Sequence, residues 1–371
     1  MKTFRSDNNA GLLPEAADAL IQCASGHVMG YGDDESTAAA VAAMRNIFGQ
    51  DAEVFFVATG TAANTIAVAA LTEPWQHVVC HVHSHWNDDE STAPERFTGC
   101  RTVPVHGHAS KLQPEDIARI ARNSRGDVHQ PAPGVVTISS PTEFGTVYSA
   151  DEIRALADAA HAGGYALHLD GARFANAVAR ACELETPGEP IVAGRAAAVA
   201  RRLIRESGVD ALSFGGTKNG LAFGEAIVLM PQGDGSACAR AAQRLPWLRK
   251  AGGHLLSKHR FVSAPFAAAL EDGAWVRHAA HANAMAARLA RGLTDRGLTL
   301  AHAVEANGIF VHLPAAIDAG LQSLGHGYYP FGDADDGIFR LMCSFDTQPE
   351  DVDALLADID ALQGRASTAT A

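Results

Sequence analysis

The sequence predicts an α/β protein: a mostly parallel sheet covered by helices on both faces, followed by a smaller α+β C-terminal domain. Three observations carry this expectation. Up to about residue 250, short apolar runs alternate with Ala-rich stretches of helical length, the βαβ rhythm of a parallel sheet. Beyond that point the rhythm gives way to one long Ala-rich stretch and two short strand-like runs. Two of the earlier runs end close to chemically loaded residues, Asp170 and Lys218, and ligands of open parallel sheets gather at the carboxyl ends of strands.

The elements follow in order. Runs 53–58, 77–82, 134–139, 165–170, 209–214 and 224–230 are expected strands. Segments 61–71, 150–163 and 172–182, rich in alanine, are expected helices. Segment 183–195, with Pro187, Gly188 and Pro190, resembles a loop. The later stretch 264–294 reads as helix, 308–313 and 338–343 as strands, and 351–363 as a closing helix. This division gives a large domain over 1–250, a small one over 251–365 and a frayed tail at 366–371.

Composition narrows the function classes. With 47% hydrophobic and 19% charged residues the chain has the make-up of a globular enzyme. A formal net charge of −13 argues against nucleic acid or an anionic membrane as partner. The six cysteines are scattered without a CxxC pair, which suggests buried free thiols. Residues 1–7 hold no apolar signal region, and no apolar run reaches the roughly 18 residues of a membrane span. A cytoplasmic enzyme is expected.

Lys218 lies in Gly215-Gly216-Thr217-Lys218-Asn219-Gly220 between apolar flanks, and Asp170 opens Asp170-Gly171-Ala172-Arg173 at the end of another run. A partly desolvated amine forms imines readily. A distant strand-end carboxylate can keep a pyridine nitrogen protonated, so the pair suggests pyridoxal phosphate chemistry. Taken singly, Lys218 also fits a surface lysine in a turn, and Asp170 a helix cap paired with Arg173. Thr59-Gly60-Thr61 follows a strand and opens a helix of small residues, which suits either a phosphate cradle or an ordinary capped start. His81, His83 and His85 alternate, so one strand would place all three on one face, with Asp88 and Asp89 following. That resembles a metal site, although Ser84 stands where an HxHxDH motif needs aspartate, and no metal is expected. His85 stacking on a flat cofactor, supported by Glu90, is the other reading. Arg340, inside the apolar run Phe339–Cys343, is expected to face a carboxylate, of a substrate or of the protein itself.

With these segments in view, the chain resembles the low-specificity L-threonine aldolases, of the β-eliminating lyase group within fold type I pyridoxal phosphate enzymes. The resemblance spans nearly the whole chain and rests on Arg5-Ser6-Asp7-Asn8, Gly30-Tyr31-Gly32-Asp33-Asp34, Asn64, His85 with Glu90, His168 through Ala177, Gly215 to Lys218 and Arg340. It implies that Lys218 carries the cofactor as an imine, Asp170 pairs with the pyridinium and Arg173 contacts the phenolic oxygen. Gly60 and Thr61, with Thr217, would hold the cofactor, and His85 would stack on its ring. Ser6, on an N-terminal arm of residues 1–15, and Arg340 would bind a substrate carboxylate. Tyr31 and Lys250 would join a site at a dimer interface, within a dimer of dimers. Another branch of the family has histidine in the segment matching Pro141-Thr142-Glu143-Phe144-Gly145, so Glu143, His85 or a water is the candidate base here. The implied reaction is retro-aldol cleavage of a β-hydroxy-α-amino acid to glycine and an aldehyde. Phenylserine cleavage, β-elimination or racemisation, and a cofactor-binding protein without turnover are the competing readings.

Overall fold

The structure, a computed structural model, describes residues 3–231, 236–333 and 336–369, without the side chains of 365–369. Seven strands form the main sheet: β1 Glu53–Val57, β2 Gln76–His81, β3 Arg101–Val105, β4 Ala132–Ser139, β5 Ala166–Gly171, β6 Ala211–Gly215 and β7 Glu225–Leu229. Their order is β1-β7-β6-β5-β4-β2-β3, and β7 alone runs opposite to the other six. Alternate side chains feed two layers. Ile227 and Leu229 pack with Ile66, Ala241 and Leu245 from helices Gly60–Leu71 and Ala237–Ala251 on one face. Ala226 and Val228 pack with Phe174, Phe266 and Trp275 on the other. Both faces are therefore covered, as a run of buried β-branched strand residues demands.

The sequence reading missed β3. It is an edge strand, half-exposed and carrying Pro104, and an edge tolerates a proline that gives no ladder hydrogen bond. The 264–294 stretch is two helices, Arg260–Glu271 and Ala274–Asp295, broken at Gly273, whose φ of 80° an L side chain resists. Segment 183–195 is shorter as a loop than expected: the helix Phe174–Glu185 runs into it and Ala193–Arg201 starts within it. The closing helix, Pro349–Ala369, continues into the stretch expected to fray, and residues 370–371 lie outside the described residues.

A second sheet, order β8-β10-β9, is antiparallel: β8 Gly308–His312, β9 Tyr329–Phe331 and β10 Ile338–Met342. The unforeseen β9 is three residues long, contains Pro330 and lies at an edge. The sheet shares a core with Leu289, Leu293, Leu355 and Ile359 of the two long C-terminal helices. Phe4 joins that core. Its N–H donates to Gly327 O at 2.8 Å and its C=O accepts from Met342 N–H at 2.7 Å. These bonds carry the following residues, Ser6 and Asp7, back toward the carboxyl ends of the large sheet. All six cysteines are free, and all but Cys23 are buried.

Candidate active site

A cavity of about 810 Å³ opens where the carboxyl ends of the parallel strands face the small sheet. Registers place Asp170 beside Ser139 of β4 and Ser213 of β6. Close approach is enforced here: a Cβ on Gly215 would stand 2.1 Å from Ala172 O, so only glycine lets β6 end against the Asp170 turn. Lys218 follows in a short 3-10 turn and lines the cavity with Asp170, Arg173, Gly60, Thr61 and His85. Burial, then the charge of Arg173, push the Lys218 ammonium down from its ordinary value, against Asp7, Asp170 and Glu225.

The acid is held by a chain of polar contacts. Asn64 Nδ2 donates to Asp170 Oδ2 at 2.9 Å and to Glu90 Oε1 at 3.1 Å. Glu90 Oε1 lies 2.8 Å from His85 Nδ1. That contact raises the His85 pKa, outweighing burial, so the imidazole leans toward its cation. The other Asp170 oxygen accepts from Ala172 N–H at 2.9 Å. Gly60 and Thr61 open the helix that Thr59 caps, its hydroxyl accepting from Ala62 N–H at 3.2 Å. First-turn N–H groups of such a helix have no internal partner and favour an anion. Nothing lies within 4 Å of the Cβ position at Gly60, so the cradle is open.

Arg173 is tied in two places to Asp7, Nε to Oδ2 at 2.7 Å and Nη2 to Oδ1 at 2.9 Å, and Asn307 Nδ2 adds a bond to Oδ2 at 3.0 Å. Burial alone would raise the Asp7 pKa. Arg173, with Lys218 and Asn307, more than offsets it and holds the carboxyl below its ordinary value. Arg340, on β10, lines the same cavity; its buried Nε has no hydrogen-bond partner among the described residues, and its guanidinium lies 5.7 Å from the Tyr329 ring centroid. Ser6 is there too. Glu143 Oε1 accepts from Ser139 Oγ at 2.7 Å and from His85 N–H at 3.0 Å, while Oε2 lies 3.2 Å from Ser110 Oγ. Burial pushes the Glu143 carboxyl up, against those bonds.

Three expected site residues do not line this cavity. Thr217 supports the Lys218 turn, its Oγ1 accepting from Gly224 N–H at 3.1 Å. Tyr31 is exposed, in the left-handed region at φ 63°, with Lys250 Nζ 5.3 Å from its ring centroid. The histidine reading is corrected as well. Strand β2 stops at His81 and His85 opens a short helix, so the three imidazoles do not share one strand face. Among the described residues no group of three or more His, Cys, Asp or Glu is arranged to hold a metal ion.

Several residues in or behind the site wall had no role in the sequence reading. Glu225, buried at the start of β7, accepts from Gly216 N–H at 2.6 Å, and burial pushes its carboxyl up to about 7. A charged residue opening the apolar run 225–230 was the available signal. The far wall is aromatic: Phe144 stacks on His302, centroids 4.3 Å apart and 7° between planes, and Phe331 meets Phe310 edge-on at 4.6 Å. Nothing in the sequence links these four.

Residues 3–316 match the beta-eliminating lyase family. The chain belongs to that family. It is 41% identical over 362 residues to the low specificity L-threonine aldolase of Pseudomonas sp. (strain NCIMB 10558), covering 97% of each chain. The Leishmania major threonine aldolase structure is similar at a TM-score of 0.85 and 27% identity, covering 98% of this chain and 99% of that one. An SPT structure with bound pyridoxal phosphate is similar in fold, at a TM-score of 0.65 and 16% identity, over 98% of this chain and 87% of that one. Family and fold together imply a pyridoxal phosphate enzyme of the lyase type, and no described helix is long and apolar enough to cross a membrane.

Proposed function

We propose that this chain is a pyridoxal phosphate-dependent aldolase that cleaves L-threonine, L-allo-threonine or a related β-hydroxy-α-amino acid between Cα and Cβ, giving glycine and an aldehyde. The observation that carries this reading is Arg340, whose Nε has no hydrogen-bond partner among the described residues, in one cavity with Lys218 and the buried Asp170. The residues suit the cofactor: an amine of lowered pKa, a strand-end carboxylate, an open N-terminal cradle at Gly60 and Thr61, and a half-exposed His85 ring. What pyridoxal phosphate supplies when bound is an electron sink conjugated to the substrate's Cα.

The chain's own residues do the rest. Lys218 would hold the cofactor and Asp170 would meet its pyridine nitrogen, with Asn64 fixing the carboxylate. Arg173 has Nε and Nη2 bonded to Asp7, and Nη1 would be the donor for the phenolic oxygen. Arg340 and Ser6 would bind the substrate carboxylate and so fix the orientation of Cα, which selects the bond that breaks. Glu143 is the base for the β-hydroxyl. His85 is the weaker candidate because Glu90 favours its protonated form, whereas the raised pKa of Glu143 makes it a better proton acceptor than an ordinary carboxylate.

The aromatic wall supports a second reading. A β-substituent beside Phe144 and Phe310 meets ring faces and edges, so an aryl group, as in phenylserine, suits the pocket better than a methyl group. The exposed Tyr31 and Lys250 suit a homo-oligomer, a dimer of dimers in this proposal, in which one subunit completes its neighbour's site.

One experiment tests both readings. Holoenzyme is mixed with L-threonine, L-allo-threonine and L-phenylserine, following cofactor absorbance and aldehyde release. Aldehyde and glycine in equal amounts support the aldolase, and faster benzaldehyde than acetaldehyde release favours the aryl reading. Ammonia with a keto acid, or a D-amino acid, would refute retro-aldol cleavage.

A further inference from the structure

Behind Glu143 lies a polar chain that the proposed reaction leaves unused. Glu143 Oε2 is 3.2 Å from Ser110 Oγ, and Ser110 Oγ is 3.1 Å from His81 Nδ1. His81 is buried at 4% exposure; its Nε2 meets Gly107 at both N (3.0 Å) and O (3.2 Å), and its Nδ1 also accepts from His83 N–H at 3.1 Å, a bond that a proton on Nδ1 would displace. The turn that presents Ser110 is unusual. Ala109 and Ser110 are consecutive non-glycine residues in the left-handed region, at φ 55° and 58°, a strained conformation for such residues. It is also clamped. Ala109 O accepts from Thr146 Oγ1 at 2.8 Å and from Thr142 Oγ1 at 3.4 Å, both in the Glu143 loop. A Cβ on Gly107 would stand 2.0 Å from Lys111 O, so the turn admits no side chain there. Strain at two adjacent residues, locked to the loop that bears Glu143, fixes one hydroxyl between a carboxylate and an imidazole.

The chemistry has a use for such a hydroxyl. Retro-aldol cleavage releases one proton at the β-oxygen, and Cα takes up one proton after the bond to Cβ has broken. Between those two events a proton must be held. We propose that Ser110 and His81 form a proton-holding relay behind Glu143, an inference that rests on Glu143 being the β-hydroxyl base. Glu143 takes the proton from the β-hydroxyl. Ser110 Oγ accepts it from Oε2 while passing its own proton to His81 Nδ1, and the reverse shift returns a proton to Glu143 when Cα requires one. No electrons move and the proton count closes. The neighbouring charged and titratable groups are His83, His106 and Asp88 around His81, whose pKa burial pushes down so that the ring returns a proton readily, and Asp170 and Arg173 near Glu143. Ser110 and His81 touch neither substrate nor cofactor in this scheme; they are positioning and relay residues.

The test uses holoenzyme variants Ser110→Ala, Ser110→Gly and His81→Gln, the double variant Ser110→Ala/His81→Gln, and Glu143→Gln as reference. The relay requires kcat to fall about tenfold in each single variant, part of the roughly 10²–10⁴-fold of general base catalysis. KM should stay unchanged, and the acid limb of the kcat pH profile should move. The double variant should lose no more than either single one, since the two residues act as a unit. In parallel, the His81 ring nitrogen signals followed by NMR across pH should change in Ser110→Ala, a readout independent of turnover. Recovery in Ser110→Gly would mean that the backbone, not the hydroxyl, matters, and would overturn the relay. Wild-type kcat and pH profile in Ser110→Ala alongside a disabled Glu143→Gln would also overturn it. Glu143→Gln with undiminished turnover would instead remove the base assignment on which the relay depends.

Discussion

At the scale of single residues, two substitutions separate chemistry from binding. Lys218→Ala removes the amine proposed to hold the cofactor, so both turnover and the visible absorbance of lysine-bound cofactor should vanish; a spectrum and an aldehyde assay on the purified variant check this. Arg340→Ala should act on binding. Charge-assisted hydrogen bonds are worth about 1.5–3 kcal/mol, so KM for the amino acid should rise roughly 10- to 150-fold with a smaller change in kcat, and an unchanged KM would sink the carboxylate role. The residues proposed to hold the cofactor were legible because each sits in a short local signature: an acid at a strand end, a lysine among glycines, a small-residue helix start. Apart from Glu90 behind His85, their partners were not. Asp7 and Arg173 are 166 positions apart and Asn307 is 300 from Asp7. Only the fold brings the three together, and no local pattern announces it.

At the scale of elements, the same division holds between interior and edge. Strands β4 to β7 are continuous buried runs, and their sequences are apolar enough to stand out. The two missed strands, β3 and β9, both carry a proline at a sheet edge, where solvent takes over part of the ladder and apolar patterning weakens. The centre of the large sheet also stores a pH dependence. His168 on β5 is fully buried, its Nδ1 2.8 Å from Thr137 Oγ1 on β4 and its Nε2 2.9 Å from Ser213 Oγ on β6. It thus pins three neighbouring strands with a neutral ring, and burial pushes its pKa from 6.5 to about 4. The unfolded chain binds a proton in that window and the folded one does not, so stability rises with pH from about 4 to 6.5 and is lost as pH falls through the same range. The full span is worth on the order of 3 kcal/mol. In His168→Asn the fall in denaturation midpoint between pH 6.5 and 4.5 should be smaller than in the parent. An equal fall would assign the acid sensitivity to carboxylates elsewhere.

At the scale of the whole molecule, the chain's own cavity is supplied from three distant regions: the strand ends of the large sheet, the antiparallel sheet that bears Arg340, and the N-terminal segment threaded between them by the Phe4 bonds. Tyr31 and Lys250 stand apart from it. Tyr31 is held with φ at 63°, a backbone state that a bulky residue adopts at a cost, and it is exposed beside Val28 and Met29, which are exposed as well. A strained aromatic residue in an apolar exposed segment has little to gain in an isolated chain. It gains if a second copy covers the segment and receives the ring in its own cavity, the arrangement proposed for the oligomer. That arrangement has a consequence no single-chain site shares. A Lys218→Ala subunit retains its Tyr31, and a Tyr31→Ala subunit retains its Lys218. When the two are unfolded together and refolded as mixed oligomers, the site on the Tyr31→Ala chain combines its own lysine with the partner's tyrosine, so activity should reappear above the sum of the separately refolded parents. If Tyr31 serves only its own chain, the mixture should give that sum and nothing more.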